Sequence, residues 1–342
     1  MILQKIESQS DSIFLLLIIY KNVFMKNLKL YLESLLDIEE KLVNDDSVIF
    51  TETISEYIYK KYPDINKSKL KVRYVKGIYF VDYDGYITIN VNTTTLVEDQ
   101  FKWGNVETFD CEKCRNLTSL EGAPRECKEF YCSYCENLKT LEGAPLTCEI
   151  FGCSDCPNLE SLEGAPQKCV RFYCNNCPKI KTLKGAPQDC DSFNCVNCSI
   201  KTLQGAPQKC DDFYCSRCNS LKTLKGAPQK CGDFYCSKCN SLKTLEGAPQ
   251  KCVMFNCKQC EWLESLEGAP QKCGDFYCAE CTNLKTLEGA PKECDRFICK
   301  DCTSLESLDG MPERIAKVFD YSGCTGLKSK KLLYPIKGKI IL

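Results

Sequence analysis

From Val106 to Cys324 the apolar positions return with a fixed step, and one unit reads Cys-x-x-Phe-x-Cys-x-x-Cys-x-x-Leu-x-x-Leu-x-Gly-Ala-Pro-x-x. Residues 210–230 are a complete example. The glycine of Gly-Ala-Pro recurs at Gly122, Gly143, Gly164, Gly185, Gly205, Gly226, Gly247, Gly268 and Gly289, and as Gly310-Met-Pro312. Each step is 21 residues except one of 20, between Gly185 and Gly205. A strict period of about 20–29 residues marks a solenoid, in which one coil cannot bury its apolar face alone. Within a unit, Phe130 and Cys132 are two apart, so a strand turns both inward and Tyr131 outward. One such strand per coil predicts a parallel sheet with neighbours about 4.8 Å apart. The returning Leu-Glu-Gly-Ala-Pro has few helix formers. Its proline fixes φ and its glycine permits positive φ, so the return is expected to be extended and polyproline-like.

The pattern differs before the array. Ile13–Tyr20 is an eight-residue apolar run, too short for the roughly 20 residues of a membrane span. It also lacks the basic start and cleavage site of a signal peptide. Residues 1–24 are therefore read as an extension or a disordered segment. Leu28, Leu32, Leu35, Leu36, Leu42 and Val43 share a helical face, predicting a helix from Lys26 to Val43. A second helix is expected over Thr51–Lys61, with Ile54, Ile58 and Tyr62 inward and Pro63 closing it. Leu70–Val75, Ile78–Val81 and Tyr86–Val91 read as strands, the last two joined by a tight Asp84-Gly85 turn. The expected organisation is an α+β N-terminal cap of two helices and a β-hairpin over 25–105, about eleven coils over 106–324, and a C-terminal cap over 325–342.

The unit resembles the leucine-rich-repeat consensus, Leu-x-x-Leu-x-Leu with Asn or Cys three residues later. Cys127, Phe130 and Cys132 fall on the three leucine positions, Cys135 on the Asn/Cys position, and Leu138 and Leu141 on the returning half. The resemblance is to the short bacterial type, and similar Ser-Leu-Glu-Gly-Ala-Pro arrays occur in proteins of bacteria and their phages. It implies an α/β leucine-rich-repeat solenoid with its parallel sheet on the concave face. The 20-residue coil fits, because Cys198-Ser-Ile200 matches the Asn-x-Leu spacing of that type.

Composition narrows the chemistry. Lysine and arginine number 45 against 46 acidic residues, a formal charge of −1, so neither nucleic acid nor an anionic membrane is an expected partner. Histidine is absent, which removes His-based acid–base catalysis, Ser-His and Cys-His pairs and mixed Cys/His zinc sites. No catalytic residue, cofactor or metal ligand is assigned, and the chain is read as non-enzymatic.

All 30 cysteines lie between Cys111 and Cys324, and three roles compete for them: packed thiols, metal sites and inter-coil disulfides. Val106 and Ile315 take the first cysteine position in the end coils and Tyr321 the second in the last, so packing explains the first column without further chemistry. Stacked columns present rows rather than tetrahedra, and strand spacing exceeds the Cβ separation a disulfide wants. Packed thiols imply a reducing compartment, hence the cytoplasm, or a host cytoplasm or virion if the source is viral.

The outward positions of the strands are the candidate binding surface, for a protein ligand on the concave face. Tyr131, Tyr173, Tyr214, Tyr235 and Tyr277 occupy the position after the phenylalanine; Asp212, Asp233 and Asp275 lie two residues earlier; Arg217 follows the second cysteine. Tyrosine offers contact area at low entropic cost. Equally, the same residues suit a solvated β-face, where they serve strand propensity and cross-strand stacking. A further reading is a bacterial effector with a helical cap before short leucine-rich repeats. Some of those carry a C-terminal ubiquitin-ligase domain, but only 18 residues follow Cys324, so ligase activity is not expected here. A metal-binding cysteine-repeat protein is the remaining alternative.

Overall fold

A computed structural model describes residues 46–342, so the expected helix over 26–43 and the run 13–20 lie outside the described residues. The described residues divide into two units, one ending at Lys61 and the other spanning Tyr62–Leu342. In the first, α1 spans Asp46–Lys61, starting five residues earlier than expected and ending where expected, two residues before Pro63. Lys60 and Lys61 sit in its last turn, where the helix dipole favours cations. Ile54 and Ile58 are buried.

The second unit is one sheet of fourteen strands in sequence order. β1 (Leu70–Val75) pairs antiparallel with β2 (Ile78–Thr88). From β2 onward every neighbour is parallel: β3 (Lys102–Asp110), β4 (Glu126–Tyr131), β5 (Thr147–Gly152), β6 (Lys168–Tyr173), β7 (Ser192–Asn194), β8 (Asp212–Tyr214), β9 (Asp233–Tyr235), β10 (Lys251–Asn256), β11 (Lys272–Tyr277), β12 (Glu293–Ile298), β13 (Arg314–Asp320) and β14 (Lys339–Ile341). The result is a β-solenoid of about twelve turns with very little helix, and none among the described residues of its returning halves.

The hairpin turn is not at Asp84-Gly85. β2 runs unbroken through that pair, and the turn is Lys76-Gly77, with φ of 51° and 82°. Two consecutive positive φ values are what a two-residue hairpin turn demands. Gly85 serves packing instead: a Cβ there would come within 2.7 Å of the Tyr83 ring, whose hydroxyl accepts a hydrogen bond from the Asn66 amide.

Phenylalanine columns the core. Phe109, Phe130, Phe151, Phe172, Phe193, Phe213, Phe234, Phe255, Phe276 and Phe297 are fully buried, with successive rings near parallel and centroids 5.3–5.6 Å apart. Edge-on aromatics close the column: Trp103 against Phe109 at 5.8 Å and Phe319 against Phe297 at 5.9 Å. Each ring contributes roughly 1.5–3 kcal/mol by burial, and each aromatic pair about 0.5–1.5 kcal/mol more. The two leucine positions of each complete coil are buried beside them; Ile180 fills one of them, and Ile200 fills one in the 20-residue coil without shifting Phe193 from Phe213.

The second and third cysteine columns do different work. Second-column thiols such as Cys132, Cys153 and Cys236 are fully buried, and burial pushes them well above the ordinary thiol range, so they stay protonated packing groups. From Cys135 onward each third-column thiol donates to the carbonyl of the second cysteine one coil back, as Cys135 does to Cys111, Cys239 to Cys215 and Cys302 to Cys278, each at 3.2 Å; Cys114 donates to Asn90 O at 3.4 Å. A buried carbonyl that would otherwise lie beyond the strand's ladder is thus satisfied.

Two backbone features recur from coil to coil. The glycine of Gly226-Ala-Pro has φ of 95°, and a Cβ there would lie 2.5 Å from the Gln204 backbone nitrogen one coil back. Close approach and left-handed backbone both require glycine. Between the second and third cysteines, ten non-glycine residues from Lys113 to Asp301 also have positive φ, near 55–60°. Their amides continue the ladder, as in Tyr134 N–H to Ser154 O at 2.9 Å and Lys238 N–H to Lys258 O at 3.0 Å. In the last coil Gly323 takes this position. Exposed inter-coil pairs such as Lys184–Glu163 at 2.7 Å and Lys225–Glu246 at 2.8 Å decorate the surface, where solvent screening leaves them little weight in stability.

Replacing Phe234 by Ala should remove about 3–5 kcal/mol of stability, read from denaturant unfolding; a wild-type midpoint would refute its burial. Gly226→Ala should cost at least about 2 kcal/mol, whereas Lys238→Gly should stabilise by about 0.5–1 kcal/mol, because glycine relieves the left-handed strain. If both glycine exchanges shifted the melting temperature in the same direction, the conformational account would be wrong.

Candidate functional site

Alternation in the strands puts Phe inward and the residues on either side of it outward, so two outward columns run across the sheet. One column passes through Glu129, Ile150, Arg171, Ser192, Asp212 and Asp233, the other through Tyr131, Gly152, Tyr173, Asn194, Tyr214 and Tyr235. Register places Asp212 beside Asp233 and Tyr214 beside Tyr235. The five tyrosines do not form one stripe. Gly152 separates Tyr131 from Tyr173, Asn194 separates Tyr173 from Tyr214, and Asn256 separates Tyr235 from Tyr277. Only the rings of Tyr214 and Tyr235 stack on each other, at 4.8 Å and 10°.

The hydroxyls tie the two columns together. Tyr131 donates to Glu129 at 3.1 Å, Tyr235 to Asp233 at 3.4 Å and Tyr277 to Asp275 at 3.4 Å. Asp275 is also paired with Arg296 at 3.2 Å. Near β8 and β9 the balance is different: Asp212, Asp233 and Asp211 crowd together. Burial, then Asp233 and Asp211, push the Asp212 carboxyl up from its ordinary range. Burial and the nearby carboxylates likewise push up the Tyr214 phenol, and carry that of Tyr235 to about 12.

Arg217 lies elsewhere. It sits in the turn after β8 with φ of 59°, its amide bonded to Ser237 O at 2.7 Å, and lines a groove along the C-terminal turns rather than the Tyr–Asp face. That groove has a volume of 670 Å³ and is floored by the left-handed residues. Asn176 and Asn197 form a side-chain ladder in it, with Asn197 Nδ2 donating to Asn176 Oδ1 at 3.0 Å and Asn176 Nδ2 to Asp155 Oδ1 at 2.9 Å. Sequence reasoning counted Arg217 with the Tyr–Asp surface and did not separate this edge from it. Gly323 at the same position in the last coil, and the preference there for Asn, Asp and Lys, are the signals that mark it.

At the other end of the strands lies a trough of 880 Å³ along β3–β7, lined in part by first-column cysteines Cys127, Cys148, Cys169 and Cys190. A smaller one of 390 Å³ holds Cys252, Cys273 and Cys294. Val106 and Ile315 stand in register with Cys127 and Cys294, as the spacing predicts. All thirty thiols are free. The first column differs from the other two in reaching solvent, since Cys127 and Cys252 are partly exposed.

Among the described residues no helix is long and apolar enough to cross a membrane. No family model, no curated protein and no solved structure matches the chain.

Replacing Asp233 by Asn should lower the Asp212 pKa toward the ordinary carboxylate range, measurable by side-chain carboxyl NMR titration. A raised folded-state pKa means that the Asp212 contribution to stability is present below the unfolded pKa and is lost as pH rises through the folded one. The wild type should therefore lose slightly more stability than Asp233→Asn across that window. Identical titration of Asp212 in both proteins would show that the pair does not interact.

Proposed function

We propose that this protein is a non-enzymatic leucine-rich-repeat protein that binds a protein partner on the outward, concave face of its sheet. The leucine-rich-repeat assignment rests on the order of buried positions, Cys-Phe-Cys-Cys-Leu-Leu, which follows the spacing of that consensus. The observation that carries the binding role is the stacked Tyr214–Tyr235 pair beside the Asp212–Asp233 carboxylates. Rigid aromatic area next to a local concentration of like charge is costly for the free protein and useful at an interface. The phenylalanine column holds the backbone of β8 and β9 from behind, so the surface is pre-organised and little ordering cost remains on association.

Tyr214→Ala combined with Tyr235→Ala should leave the melting curve within a few degrees of wild type and weaken partner capture at least tenfold. The measurement is quantitative affinity capture from the native cell with both proteins as bait. Partners recovered equally by both would count against this face as the binding surface.

A further inference from the structure

We propose that the first-column thiols Cys252 and Cys273 form a site for a soft, two-coordinate metal ion of the Cu(I) type. The two residues are register partners on β10 and β11, with sulfurs 3.4 Å apart, and both line the 390 Å³ groove. Cys252 is partly exposed, so an ion can reach it from solvent.

Geometry selects the kind of ion. Among the described residues no group of three or more Cys, Asp or Glu converges on a point, so a tetrahedral zinc site or an oxygen cage has no ligand set. A linear ion needs only two. A thiolate sulfur stands about 2.3 Å from a metal such as zinc, so two bonds in line separate the sulfurs by about 4.6 Å. That is close to the 4.7–4.9 Å spacing of neighbouring strands. Identical residues on adjacent parallel strands therefore present two sulfurs at the span of a linear dithiolate. From the observed 3.4 Å the pair must open by roughly 1.2 Å, a change we assign to a side-chain rotation of the partly exposed Cys252. Soft sulfur donors select Cu(I) among biological ions.

The other columns are not available in this way. Third-column thiols are buried and donate to carbonyls of the preceding coil, as Cys260 does to Cys236 at 3.2 Å, and second-column thiols are sealed in the core; Cys273 also donates to a carbonyl, Asp275 O at 3.0 Å, and gives that bond up when the metal displaces its proton. Charge also favours this pair. Two thiols and one Cu(I) give an RS–Cu–SR unit of charge −1 and release two protons. Lys251 and Lys272, which immediately precede the two cysteines, line the same groove. The acids there have other partners: Glu293 pairs with Arg314 at 3.7 Å and Asp295 with Lys317 at 2.7 Å. Among the described residues neither lysine makes an ion pair within 4 Å, although Lys272 stands in register with Glu293, and both are close enough to the sulfurs to balance the new charge. The pair Cys148 and Cys169, 3.8 Å apart, has the same register but Thr147 in place of one lysine, and should bind more weakly.

The test is anaerobic titration of the reduced full-length chain with Cu(I) held by a chromogenic chelator of known affinity. Wild type should withdraw a first equivalent, and Cys252→Ala with Cys273→Ala should bind it at least tenfold more weakly. Equal uptake by both proteins, or no competition by wild type, would overturn the site. Circular dichroism before and after loading must be native, because collection of copper by an unfolded chain would also overturn it. X-ray absorption of the loaded wild type guards against a variant that fails to fold. Two sulfur neighbours are expected; three or four, or a Cys252–Cys273 disulfide in the reduced preparation, would sink the proposal.

Discussion

Each coil of this protein is stable only because an identical coil lies on either side of it. Ordering a whole coil costs more conformational entropy than the apolar side chains of that coil return by their own burial. The deficit is met across the interface between coils, where ring faces ring at 5.3–5.6 Å, thiol meets carbonyl, and each backbone amide finds the next strand. The ends of the column confirm how much depends on it. Trp103 and Phe319 turn edge-on to the terminal rings, giving them an aromatic neighbour where no further parallel ring is stacked.

That one constraint converts sequence repetition into columns of like chemistry, and the surroundings then divide the labour. Cysteine occupies three columns with three outcomes. It is a sealed core group in the second, a hydrogen-bond donor to the preceding coil in the third, and in the first a thiol at the edge of the core that reaches solvent at Cys127 and Cys252. The same stacking places like charges together on the surface, so Asp212 and Asp233 become neighbours despite lying 21 residues apart in the chain. In a globular domain such repulsion would be dispersed. In a solenoid a repeated acidic residue position becomes a row unless a neighbouring coil breaks it, as Arg296 does for Asp275.

Tolerance of strain follows from the same source. A left-handed non-glycine residue costs about 1–2 kcal/mol, yet ten coils carry one. The conformation points each amide along the stack to a carbonyl of the next coil, and that bond is available only in the assembled array. Gly226 and its equivalents show the opposite limit, where an added Cβ would strike backbone and no partner bond could compensate.

The sequence alone determined the period, the parallel sheet, the inward Phe and Cys and the loop residue lost before Ile200, because these follow from spacing and alternation within one unit. It misplaced the hairpin turn, since Asp84-Gly85 and Lys76-Gly77 read alike until the Tyr83 ring is seen over Gly85. Which tyrosines touch, why Arg217 leaves their face and which thiols reach solvent were decided only by the tertiary structure. Those properties belong to contacts between coils, and a contact between residues 21 positions apart depends on how much each turn twists and offsets the next, which no single unit encodes.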